Sequence, residues 1–233
     1  MGFWGKRAVG MVALLGVLGA TSASAGPLPG FSLRAESHNF AFFSRGAARV
    51  DVRRPEAQLA RVEAALGQRI VGKVDYYVHE RPEDIAAATG RYAGGLTFPE
   101  LGQMHSTSAS QEHEIVHVVA HQLGNPGPFF QEGLAVALGD HGKWMGQPVD
   151  RVARKVAPTA PIEALIARFD AADPQEGYAV AGSFVRFLIE AHGLPQVSHF
   201  FRACQGERTV DAAFAAAFGE SLNAAGARWA RSV

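Results

Sequence analysis

The 233-residue chain has a single cysteine, Cys204, so no disulfide can form within it and its stability must come from a packed core or a bound group. It lacks an excess of charge of either sign. Its 22 basic side chains are matched by 22 acidic ones, which gives no electrostatic reason to invoke nucleic acid or an anionic membrane surface. It also lacks a comfortable bilayer span: the apolar run from Ala8 to Ala20 falls short of the ~20 residues that a spanning helix needs. Internal repeats and long linkers are missing too, and the size fits one domain, or a small α+β lobe followed by a helical lobe.

The short apolar run has its own reading. Lys6 and Arg7 precede it, and Ala23-Ser24-Ala25 behind it has the small-residue form of a cleavage site, so residues 1–25 read as a signal peptide. The expected destination is outside the cytoplasm, periplasmic or secreted, with no stable membrane insertion after cleavage; a retained anchor is the alternative. No cysteine follows the run closely, which argues against a lipid-anchored form. Cys204 lies among Phe200, Phe201 and Ala203, and reads as an inert buried thiol rather than a nucleophile.

Against these absences stands His113-Glu114-Ile115-Val116-His117. Two imidazoles four residues apart share one face of an α-helix and can grip one cation. Glu114 projects about 100° round the same helix, beside such a cation rather than onto it, where a carboxylate can take a proton from a water on the metal. The pattern is that of zinc hydrolases when the helix is continuous and a third ligand is near. The surroundings agree: Ser108 or Ser110 can cap the helix, Glu112 and Glu114 suit its first turns, Val116, Val119, Ala120 and Leu123 form an apolar stripe, and Gly124-Asn125-Pro126 stops it.

After a short turn, Phe129-Phe130-Gln131-Glu132-Gly133-Leu134-Ala135 opens a second apolar helix. A carboxylate amid hydrophobic neighbours is costly unless it is paired or bound to metal. Glu132 could therefore complete a His-His-Glu site with a position left for water; the bland alternative is a solvated partner of the helix N-terminus. His121, four residues after His117, reads as a surface or supporting histidine. The last histidine of a three-histidine site would fall at position 123, which is Leu. Asp140 could orient a ligand imidazole from outside, but reads more simply as a solvated carboxylate at a helix end. The histidines at 38, 79, 105, 192 and 199 show no ligand spacing.

HEIVH followed by FFQEGLA resembles the gluzincin clan of zinc metallopeptidases, and most closely the small bacterial proteins of the peptidase MA-like type. The stretch from Tyr178 to Leu188 and the tail with Ala213-Phe214, Phe218-Gly219 and Trp229 are similar to that group as well. The resemblance runs from about residue 70 to the C-terminus, specific at the two motifs and loose elsewhere. It implies zinc held by His113, His117 and Glu132, Glu114 as general base, and a phenol as oxyanion donor. Tyr178 is the first candidate for that donor, with packing as its ordinary alternative, and His141 is the second. Fourteen residues separate His117 from Glu132, fewer than in the large aminopeptidases of the clan, and their G-A-M-E-N-type strand is absent.

The expected fold is α+β and zincin-like: an N-terminal α+β lobe over 26–107 and a helical lobe over 108–233 that carries the metal site. Strands are predicted over 38–44, 70–79, 94–98 and 101–105, with helices over 55–66 and 81–90. After Glu132, helices are predicted over 150–156, 162–169, 176–192, 194–204, 209–218 and 221–231. Residues 26–36 read as a spacer or a cover for the cleft. By the resemblance, Gly94–Phe98 or its neighbour would be the edge on which an extended peptide adds as a further strand, though the paired glycines suit a tight turn equally. The functional expectation is an exported zinc metallopeptidase, acting on peptide or protein bonds by attack of a zinc-bound water. The alternatives are a zinc-binding but catalytically weak envelope protein that scaffolds a partner, and a hydrolase of some non-peptide amide.

Overall fold

The computed structural model describes residues 27–46, 49–206 and 208–233; the expected signal peptide lies outside the described residues. Five strands form one mixed sheet: β1 (Ser32–Glu36), β2 (Phe40–Ser44), β3 (Val74–Val78), β4 (Gly95–Phe98) and β5 (Gln103–Ser106), in the order β1-β2-β3-β5-β4. β2, β3 and β5 run parallel, and the two outer strands pair antiparallel to them. The parallel step from β2 to β3 requires a crossover, and α1 (Arg53–Leu66) supplies it. Between β3 and β4 lies α2 (Pro82–Thr89), and after β5 the chain becomes mostly helical.

Strand alternation divides the sheet into two faces. Phe40, Phe42, Val74, Tyr76 and Met104 point into the main core, shared with Leu59, Val62 and Leu66 of α1. Phe31, Ala41, Phe43 and Tyr77 form a smaller cluster on the other face. His79 and His105 are buried with that cluster, their rings stacked and their Nε2 and Nδ1 atoms 3.0 Å apart. Two of the strands are shorter than expected because side chains take the backbone donors that a ladder would have used. Asn39 N–H donates to Glu56, and the Ile70 and Val71 N–H groups donate to Glu63 and Gln122. Residues 32–36 are neither spacer nor cleft cover: β1 is the outer strand at the edge opposite β4.

The motif helix is α3 (Glu112–Leu123) and its successor is α4 (Pro128–Leu138). Neither Ser108 nor Ser110 caps α3. Gln111 holds the N-cap position without a side-chain bond, and its backbone N–H donates instead to the Tyr76 hydroxyl of β3. A hairpin of β6 (Lys143–Trp144) and β7 (Gln147–Pro148) follows, turning through Met145 and Gly146, both with positive φ as in a type I′ turn. Then come α5 (Val149–Val156), α6 (Ile162–Ala167), α7 (Pro174–His192), α8 (Leu194–Ala203), α9 (Val210–Phe218) and α10 (Leu222–Ser232). The result is α+β, with a small mixed sheet and a mostly helical C-terminal part. Among the described residues no helix is long and apolar enough to cross a membrane. Cys204 ends α8 half-buried rather than buried, and burial pushes its thiol above its ordinary value.

Candidate metal centre

Burial of the apolar side of α3 fixes where its polar side faces. Ile115, Val116, Val119 and Leu123 are fully buried in the core, so His113 and His117 emerge together toward α4. α4 is drawn close against α7 by Gly133, where a Cβ would lie 2.6 Å from the Ala181 carbonyl oxygen. That approach carries Glu132 to the histidines. His113 Nε2, His117 Nε2 and Glu132 Oε2 form a triangle with all three sides 3.2 Å. These three side chains could hold a metal ion, and no other group of three or more His, Cys, Asp or Glu side chains among the described residues has such an arrangement.

Electrostatics bind the triangle together. Burial disfavours the charge on His113, yet hydrogen bonds to Asp140 and Glu132 outweigh it and raise the imidazole to about 10. Burial raises Glu132 in turn, but the two histidines prevail and hold it down at about 2. Both shifts report the contact between His113 and Glu132, to which Asp140 adds on the histidine side and His117 on the carboxylate side.

Asp140 takes the orienting role that the sequence left open, not the simpler one of a solvated carboxylate. It is not a free carboxylate at a helix end: its Oδ2 accepts a hydrogen bond from His113 Nδ1 at 2.6 Å. When the ring is neutral, as a metal would require, this contact keeps the proton on Nδ1 and leaves the Nε2 lone pair at its corner of the triangle. Gly139 makes this possible, since its position lies 2.7 Å from the His113 backbone when measured from an added Cβ. Only the path of the chain past the end of α4 reveals the contact, and spacing along the sequence carries no trace of it.

Tyr178 lies one turn inside α7, stacked on Trp144 with ring centroids 4.5 Å apart and facing the His113 ring at 6.4 Å. Phe169 packs against the Tyr178 ring at 5.6 Å. Burial, and then the charges of Glu132 and Glu114, push its phenol above the usual tyrosine value. The Trp144 indole N–H is buried with no hydrogen-bond partner among the described residues. Trp144 was missed in the sequence because a Met-Gly turn is a weak hairpin signal. Neither His141 nor His121 joins the triangle. The His141 side chain is 73% exposed and lies 3.9 Å from Glu112, while His121 sits exposed in the last turn of α3. Glu114 is buried, and its carboxylate rests against β4 rather than in the triangle. No family model matches this sequence, and no curated protein matches it.

Proposed function

We propose that the chain is a zinc-dependent peptidase of the gluzincin kind, exported by its N-terminal segment and acting on a peptide or protein substrate. The observation that carries this reading is the donor triangle with a carboxylate beside it. Donors about 2.1 Å from a tetrahedral zinc ion lie about 3.4 Å apart, close to the 3.2 Å sides found between His113, His117 and Glu132. Two imidazoles and one carboxylate suit zinc, and three protein donors rather than four is the number that catalytic sites use.

Zinc, when bound, supplies Lewis acidity to the attacking water and to the scissile carbonyl. Glu114 takes the proton of that water and delivers it to the leaving amine. Tyr178 donates a hydrogen bond to the developing oxyanion, and its raised pKa keeps the phenol protonated for that purpose. Asp140 holds His113 in the required tautomer. β4, whose outer side pairs with no strand among the described residues, offers backbone groups to an extended peptide.

Elemental analysis of residues 26–233, with His117→Ala and Glu132→Ala alongside, tests the centre; about one zinc per chain is expected in the wild type and none in the variants. Hydrolysis of a denatured protein, lost in Glu114→Gln with zinc retained, tests the chemistry. Zinc without any turnover in the wild type would favour the scaffolding alternative, and a folded wild type that takes up no zinc would end the metallopeptidase reading.

A further inference from the structure

Glu114 is only 5% exposed, and a buried carboxylate is costly unless something answers it. The hydrogen-bond partner of its carboxylate among the described residues is on the sheet: Thr97 Oγ1 donates to Glu114 Oε2 at 2.8 Å, with the Glu114 backbone carbonyl 3.3 Å from the same hydroxyl. Thr97 stands in β4, and two residues before it on the same side of the strand is Gly95. A Cβ at Gly95 would lie 2.5 Å from Glu114 Oε1 and 2.6 Å from Gln111 Nε2. Position 95 thus leaves the space into which the Glu114 side chain fits, and position 97 supplies the hydroxyl that fixes its rotation. The register agrees, since Gly95 and Thr97 pair with Ser106 and Met104, whose side chains also face α3 and the core.

We infer that Gly95 and Thr97 are positioning residues for Glu114, so that the edge strand sets the angle of the proposed general base. The inference rests on the peptidase reading and adds a residue pair to it. A base displaced by about 1 Å can lose ~10²-fold in rate, which is the scale expected for removing the hydroxyl. The substrate strand would pair with β4, and the hydroxyl that orients the base belongs to that same strand.

Thr97→Val keeps the shape and removes the hydroxyl; Thr97→Ser keeps the hydroxyl. Crystal structures of the zinc-loaded wild type and both variants should show the Glu114 carboxylate bonded to residue 97 in the wild type and in Thr97→Ser, and moved away in Thr97→Val. An unmoved carboxylate in Thr97→Val overturns the inference. With a denatured protein as substrate, Thr97→Val should lose about 10²-fold in kcat at unchanged KM and unchanged zinc content, and Thr97→Ser should recover most of it. Wild-type turnover matched by Thr97→Val would overturn the inference alone. A zinc-loaded wild type with no turnover would instead end the peptidase reading, and with it any catalytic purpose for the contact.

Discussion

His113 can serve a metal through Nε2 only as a neutral imidazole, and Asp140, accepting from Nδ1 at 2.6 Å, sets which nitrogen keeps the proton in that form. Asp140→Ala should therefore weaken zinc binding by about 10- to 100-fold while leaving all three donors in place, as read by competition with a chromogenic chelator. An unchanged affinity would mean that packing alone orients the ring. In the metal-free protein the same contacts act on stability. His113 is raised from 6.5 to about 10, so its contribution is complete below pH 6.5 and disappears as pH rises through about 10. Glu132 is lowered from 4.5 to about 2, so its contribution is complete above pH 4.5 and disappears as pH falls through about 2. Thermal midpoints of chelator-stripped protein should then be highest between pH 4.5 and 6.5, and His113→Ala should flatten the alkaline limb; a midpoint that climbs steadily to pH 10 would contradict the contacts. At this scale the sequence was readable wherever the chemistry was local. Two histidines and a carboxylate within one helical turn reveal themselves by spacing, and Glu132 by its apolar neighbours. Asp140, Thr97 and Trp144 reach the site through chain paths and strand-to-helix packing, which no short window encodes.

Among the elements, α4 shows how backbone proximity becomes a donor set. It packs on α7 at Gly133, the residue next to Glu132, and an added methyl there would meet the Ala181 carbonyl oxygen and Val185 Cγ2, each at 2.6 Å. Gly133→Ala should push the two helices apart, costing about 1–3 kcal/mol in urea denaturation of the metal-free protein. It should also weaken zinc binding, because Glu132 moves with its turn. A destabilised variant with intact zinc affinity would show that the triangle tolerates a shift of α4. The helices were legible element by element because apolar period and stop signals coincide, as in Leu59, Val62 and Leu66 ahead of Gly67. Strand ends were not, since Glu56, Glu63 and Gln122 compete for backbone donors from across the fold. Nor was β1 legible: its Ser-Leu-Arg-Ala-Glu sequence is mostly exposed, with Leu33 half in solvent, and it lacks the alternation that a half-buried strand would show.

Over the whole molecule, one hydrophobic cluster runs from Phe40 of β2 to Trp229 of α10, and α3 and α4 lie inside it. The sequence conveyed the α+β order of elements, but the strand order depends on pairings across the chain, such as β3 with β5, that lie beyond any local pattern. Because the proposed zinc donors sit on two helices anchored in a shared core, metal binding should stabilise all of it rather than a part. At a free zinc concentration 100 times Kd, linkage contributes about 2.7 kcal/mol, which for a chain of this length is a rise of roughly 5–10 °C in Tm. Differential scanning calorimetry of residues 26–233 should show a single transition that moves upward as a unit with zinc and stays put in His117→Ala. The cluster crosses the 107/108 junction between the sheet and the motif helix, with Met104 on one side and Ile115 on the other. A separated 108–233 fragment would therefore expose the α1-facing and sheet-facing sides of α3, and no zinc-dependent transition is expected from it. Two transitions in the intact chain, only one of them shifted by zinc, would mean that the core is divided energetically where it is continuous in space.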